Sequence, residues 1–254
     1  MKHLGAVAAL ALALTGSVQG AEIRIISTGG ARAVMTALVP EFERKSGNKV
    51  QIDFGTPGNM RDRLVQGEGA DAAVAIAAVL PDLEKAGKIA SGTRMPFAAS
   101  YVGVVVRAGT PKPDVSSAEG VKQAVLAAKT IVLSDPKAGT QLGATFLGAT
   151  DRLGFGADAR SRAKLILGPG SDVAAAVAKG EADLGVTLIS EILPVAGAEL
   201  AGELPPTIMP PTVMHAFVVS GAKDPETAKA FLDFLRSPDA RRMIEAKGMK
   251  PGAP

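Results

Sequence analysis

The sequence predicts an α/β protein built as two lobes, and three observations predict it. Short apolar strands alternate with helical patterns along the chain, the junctions from strand into helix are rich in Gly, Ser and Thr, and two extended segments, near 95–107 and near 207–219, join two separate α/β series. A chain that crosses twice between its lobes leaves a cleft between them.

The first residues stand apart from this pattern. Met1-Lys2-His3 precedes an apolar run from Leu4 to Leu14 that is too short to span a bilayer, and Gly16 to Ala21 follows with Val18 and Gly20 set as cleavage-site residues. This predicts a signal peptide over 1–20, a mature chain starting near Ala21 and a periplasmic location. Every later apolar segment is interrupted by Gly, Pro or charge within about a dozen residues, short of a membrane span.

Glu22 to Ile26 alternates as a first strand, Ser27-Thr28-Gly29-Gly30 ends it, and Ala31, Val34, Met35, Leu38 and Phe42 recur at helical spacing. Pro40 inside that pattern is expected to bend the helix or end its regular part. Val50, Ile52 and Phe54 form a second strand, Gly55-Thr56-Pro57-Gly58 a turn, and 59–66 a helix with Met60, Leu64 and Val65 on one face. A buried strand over 70–78 and a helix over 81–86 complete parallel βαβ units.

After the strand 101–107 and the loop 109–113, the second series begins with a helix over 121–127 capped by Ser117. Strand 130–134, loop 135–139, helix 140 to about 153 and strand 164–167 come next. A helix over 173–179, capped by Ser171 or Asp172, then leads to strand 182–188 and Ile189-Ser190-Glu191. Pro205, Pro206, Pro210 and Pro211 stiffen the return, strand 213–220 follows, and helices over 225–235 and 238–246 close the chain. The expected lobes are 21–100 plus 214–254, and 101–213.

Composition removes several functions. The 28 Lys and Arg are interspersed with 25 Asp and Glu, and aromatic residues are 4%, which argues against a nucleic-acid surface. With no Cys there are no thiolate nucleophiles, Cys-type zinc sites or disulfides. His215 is the only histidine of the mature chain, GxSxG is absent, and neither GxGxxG nor GxxxxGK[ST] occurs. No metal, cofactor or nucleic-acid partner is expected, and a monomer is.

What remains points to an anion. Helix starts carry unpartnered N–H groups and a positive dipole end. Ser27, Thr28, Gly29 and Gly30 line the first such start, and Thr56, Gly58 and Asn59 the second. Arg32 and Arg61 fall in these first turns, where a cation opposes the dipole, so a bound carboxylate would offset the cost. The alternative for each Arg is a solvated side chain or a local ion pair, with Glu68 or Asp62. Thr140 and Gln141 occupy a similar junction in the second lobe, Thr187 and Ser190 flank a strand end, and each can equally serve as a cap. His215, Glu191 and Asp172 are the candidates for proton transfer, with His215 equally readable as a packed, hydrogen-bonded strand residue.

The chain resembles the molybdate-type periplasmic substrate-binding proteins of ABC transporters, class II of the periplasmic binding-protein fold. The resemblance runs through Ile23 to Gly30, Phe42-Glu43-Arg44-Lys45-Ser46-Gly47 into Val50, Phe54-Gly55-Thr56-Pro57-Gly58, Gly67 to Asp71, and Leu83-Glu84-Lys85-Ala86-Gly87. It continues through Gly180-Glu181-Ala182-Asp183-Leu184-Gly185 and the ending Phe231 to Pro238. It implies two lobes, a hinge, a ligand cleft and a permease partner. Gly30 and Pro57 stand where that family grips molybdate with serines, and the tyrosine expected near Leu188 is missing. These departures point to an organic di- or tricarboxylate, with molybdate or tungstate as the family's own alternative. Similar periplasmic proteins that isomerise carboxylic acids such as aconitate supply an enzymatic alternative, and a sensor subunit a third.

Overall fold

The computed structural model describes residues 20–138 and 140–252. The expected signal peptide lies almost wholly outside them, as does Gly139. Two mixed sheets carry the fold. In chain order the first takes β1 (Glu22–Thr28), β2 (Lys49–Gly55), β3 (Ala72–Ile76), β4 (Met95–Ser100), β10 (Thr212–Val218) and β11 (Met249–Pro251). The second takes β5 (Val102–Arg107), β6 (Ile131–Ser134), β7 (Ala163–Ile166), β8 (Leu184–Leu188) and β9 (Ala198–Glu203). Spatial order is β11-β4-β10-β3-β1-β2 in one and β7-β6-β8-β5-β9 in the other.

Helices cover both faces of each sheet. Alternation along β1 sends Ile23 and Ile25 to one side, where α1 (Arg32–Ser46), α9 (Pro225–Leu235) and α10 (Pro238–Ala246) bury Met35, Leu38, Phe42, Phe231 and Ile244. Ile26 points the other way, to Met60 and Leu64 of α2 (Pro57–Val65) and Leu80 and Leu83 of α3 (Leu80–Lys85). In the second sheet, Ile131 and Leu133 pack on α4 (Ala118–Ala127), α5 (Leu142–Arg152) and α6 (Gly156–Arg162) through Val121, Phe146 and Ala159. Val105 and Val132 face Val173 and Val177 of α7 (Gly170–Ala178) and Ile192 of α8 (Ile189–Ile192).

Several expectations change. α1 runs unbroken through Pro40 to a left-handed Gly47. Pro40 cannot donate to the Thr36 carbonyl, but both residues are exposed and water can take that bond. α2 starts at Pro57, the N1 position at which a missing N–H costs nothing. α7 starts at Gly170 behind a Pro169 cap, ahead of the expected Ser171 or Asp172 cap. α6, β9 and β11 were not expected at all.

Registers bring the functional ends together. β1, β2 and β3 are parallel, with Thr28 opposite Gly55 and Ser27 opposite Val74, so their C-terminal ends share one edge. β6 and β8 are parallel likewise, and β5 is antiparallel to β8 with Val102 opposite Leu188. The chain passes between sheets at Ser100–Val102 and again between Glu203 and Thr212. Both passages leave from these edges, the place where open α/β sheets collect ligands. Among the described residues, no helix is long and apolar enough to cross a membrane.

Candidate functional site

The first lobe contributes two adjoining turns. Thr28 leads into a 3-10 turn over Gly29–Ala31, and α1 begins at Arg32 with no acidic residue in its first turn. A Cβ on Gly29 would lie 3.5 Å from the Gly55 carbonyl, so the two turns touch. Ser27 and Thr28 are buried, and the Ser27 hydroxyl donates to the Thr28 carbonyl at 3.2 Å. Thr56 caps α2, its Oγ1 accepting from the Asn59 N–H at 3.2 Å, while the Asn59 amide lies over Gly55. Gly58 has open space around it.

The two arginines part company here. Arg61 pairs with Asp62 at 2.8 Å and with Asp82 at 3.1 Å, which gives it the local ion pair and leaves its charge already neutralised. Arg32 stays exposed, its guanidinium carbon 4.2 Å above the Phe54 ring, and pairs with no carboxylate among the described residues. Phe54 therefore seats a cation that lacks a carboxylate partner among the described residues. A planar guanidinium held this way can take a carboxylate through two parallel hydrogen bonds.

Gly30 marks where the lobes meet. A Cβ there would stand 3.2 Å from both Leu188 Cδ1 and Met214 Cε, so a serine would press on Leu188 of the facing lobe. The two positions at which the resemblance implies a serine and a nearby tyrosine, Gly30 and Leu188, thus lie side by side.

In the second lobe Thr140 accepts weakly from Leu142 N–H at 3.4 Å, and Gln141 is an exposed N-cap residue whose side chain makes no capping bond. Ser190 is buried and its hydroxyl shares a 3.0 Å hydrogen bond with Ser100, so it ties the two sheets together at the first crossing. Thr187 is buried too, and its hydroxyl donates to Glu191 Oε2 at 2.9 Å. The other oxygen, Oε1, accepts from the Gly170 N–H at the start of α7, 3.2 Å away. A Cβ on Gly170 would collide with both Thr187 and Glu191. Burial of the carboxyl pushes the Glu191 pKa up, and Asp172 adds to the push against the hydrogen bonds from Thr187, Gly170 and Leu188.

The other proton-transfer candidates are placed less favourably. Asp172 is exposed and its carboxylate lies over Gly168. His215 shares the α2–α3 face of β10 with Phe217 and Val219, its Nδ1 is buried without a partner, and burial with the nearby Arg94 lowers its pKa. The hydrogen bond expected of a packed histidine is therefore missing at Nδ1. Sequence reasoning passed over Gly170 and Ser134. Extending the register of Ile131 with Leu184 and Val132 with Gly185 sets Ser134 beside Thr187 on the α7 face, and the Ser134 hydroxyl is buried without a partner. A lone Ser ending an apolar strand, Ile131-Val132-Leu133-Ser134, was the available signal.

Comparison with known proteins agrees with this architecture. Residues 23–250 match the family model for bacterial extracellular solute-binding proteins. The chain is 30% identical to an aconitate isomerase from Pseudomonas sp, over 98% of this chain and 95% of that one. It is 28% identical to the molybdate-binding protein ModA of Azotobacter vinelandii, over 92% of each. Among solved structures, the substrate-binding domain of a putative molybdenum ABC transporter from Clostridium difficile superposes with a TM-score of 0.74 at 18% identity, covering 91% of this chain and 99% of that one. With two helix-covered sheets, ligand-side edges that face one another and a match over nearly its whole length, the chain belongs to the bacterial extracellular solute-binding protein family.

Proposed function

We propose that the protein is a periplasmic receptor that captures a small organic di- or tricarboxylate between its lobes and presents it to an ABC permease. The proposed lobes are 21–100 with 214–254, and 101–213, although β10 of the first sheet begins two residues earlier, at Thr212. The observation that carries the reading is Arg32, a cation at a helix start, seated on Phe54 and lacking an ion-pair partner among the described residues. Tetrahedral oxyanions in binding proteins of this kind are held by neutral hydroxyls and N–H groups, whereas a planar guanidinium matches a planar carboxylate. Arg32→Ala is expected to weaken binding of tricarboxylates such as aconitate by about 10- to 100-fold, the cost of a charge-assisted pair, as measured by calorimetric titration. Unchanged affinity in that variant contradicts the reading.

A second reading, conversion of the captured acid, is favoured by a specific observation: the half-buried carboxyl of Glu191 in the second lobe, hydrogen-bonded by Thr187 and Gly170 and pushed up in pKa by burial. The aconitate isomerase relative supports it. Proton NMR of wild-type protein with cis- or trans-aconitate separates the two readings. Interconversion supports the enzyme, and stabilisation of the fold without interconversion supports the receptor.

A further inference from the structure

We propose that Glu191 is the group that moves a proton on an unsaturated di- or tricarboxylic acid bound in the cleft, with the Thr187 hydroxyl and the Gly170 N–H as its positioning partners. This rests on the conversion reading above and assigns its chemistry to one carboxyl.

Geometry selects Glu191 over the other candidates. Thr187 Oγ1 donates to Oε2 at 2.9 Å and Gly170 N to Oε1 at 3.2 Å, which fixes the carboxyl plane. Gly170 is the only residue type that fits, because any Cβ would strike Glu191 and Thr187 together. α8, which carries Glu191, packs against the 29–31 turn and α1, so the carboxyl is on an element that meets the first lobe beside the turn leading into Arg32. Asp172, by contrast, is turned onto Gly168, and His215 faces the α2–α3 core.

The charged groups around Glu191 are few. α7 offers only Asp172, and β8 none. On β9, Glu199 pairs with Lys112 and Glu203 with Lys250, while Arg107, the one charged residue of β5, lies at that strand's far end. From the first lobe, Lys247 and Lys250 flank Gly248, which packs on Ile189 and Leu193, and Arg32 stands at the α1 start. Among the described residues no cation of the second lobe draws the carboxyl down, so burial and the nearby Asp172 raise its basicity against the hydrogen bonds from Thr187, Gly170 and Leu188. A carboxylate made more basic in this way is a stronger proton acceptor near neutral pH.

The step balances without a co-reactant. Ionised Glu191 removes the proton from the saturated carbon next to the C=C bond. That C–H electron pair becomes a new C=C bond, and the original π pair shifts to the far carbon, which takes a proton from Glu191 after the carboxyl proton has exchanged with solvent. One C–H bond breaks, one forms, and the carboxylate is regenerated. Arg32 holds the substrate carboxylate onto which negative charge spreads in between.

The test uses the full mature protein with trans-aconitate in D2O, reading isomer conversion and deuterium uptake by NMR, and ligand binding by thermal shift. Glu191→Gln is expected to keep the ligand-induced thermal shift and lose conversion and deuterium uptake by at least about 100-fold, the usual scale of general acid–base catalysis. Thr187→Val is expected to move the acidic limb of the kcat/KM pH profile upward, because the carboxylate loses a donor that stabilised its charge. This second variant decides the matter if Glu191→Gln does not fold. Wild-type turnover that survives in Glu191→Gln, or an unmoved pH limb in Thr187→Val, overturns the assignment to Glu191. Absence of conversion and of deuterium uptake in the wild type overturns the conversion reading beneath it, and the proposal with it.

Discussion

Arg32 and Arg61 occupy equivalent places in sequence, each in the first turn of a helix behind a Gly-rich junction, yet the fold gives them opposite surroundings. Arg61 has carboxylates within reach on its own helix and on α3. Arg32 has an aromatic ring beneath it and no carboxylate partner among the described residues. Sequence spacing locates the turn of the helix but not its rotation, so this difference was not legible before the fold. Charge clusters away from the cleft behave differently again. Arg24 and Arg63 bracket Asp53 and Glu68, with Glu68 2.5 Å from Arg24 and 2.6 Å from Arg63. Hydrogen bonds from Arg63 and then Arg24 lower the Glu68 pKa from 4.5 to about 2. A depressed acid contributes stability that is complete above its unfolded value and fades as pH falls, here between about 4.5 and about 2. Glu68→Gln is therefore expected to reduce the loss of urea-unfolding stability across that window, leaving a residual slope from Glu41, Asp151 and Asp239, whose pKa values are also lowered by Arg or Lys partners. An unaltered slope contradicts a role for this network.

At the scale of elements, the junction of β8, α7 and α8 is the least tolerant part of the second lobe. Gly170→Ala would drive a methyl group into Thr187 and Glu191. Such overpacking costs about 1–3 kcal/mol, so the melting temperature should fall by several degrees, and a variant as stable as the wild type would show that the junction relaxes freely. Elements with strong periodicity were legible from the sequence: α1 by Val34, Met35, Leu38 and Phe42, and α9 by Phe231 and Leu235. Those lacking it were not. β9, Ala198 to Glu203, has neither β-branched nor aromatic residues and takes its shape from pairing with β5. β11 is three residues whose extension depends on β4. α6 follows Gly154, a left-handed glycine that masked the restart of helix at Gly156. At the site, Glu191 and Thr187 were visible as candidates at a strand end, but their partner Gly170 was hidden inside the Gly168-Pro169-Gly170 turn, where a loop residue and a helix start look alike.

Over the whole molecule, the two sheets hold separate cores and join through a small region at their ligand-side edges. Ala99, Tyr101 and Ile189 form an apolar contact there, Ser100 and Ser190 share a buried hydrogen bond, and Lys250 of β11 lies 3.7 Å over the Tyr101 ring and 3.5 Å from Glu203 of β9. A joint of this size next to facing helix starts suits lobes that close on a ligand. The fold resembles that of molybdate receptors, but the residues at the meeting point do not offer their serines: Gly30 is wedged against Leu188, and Pro57 opens a helix. On the carboxylate reading proposed above, Arg32 would supply charge in their place. The most direct measurement is a calorimetric titration of the mature wild-type protein with trans-aconitate and with molybdate, run side by side. Saturable binding of the tricarboxylate with no heat from molybdate is the predicted result, and saturable binding of molybdate with none from the tricarboxylate would contradict it.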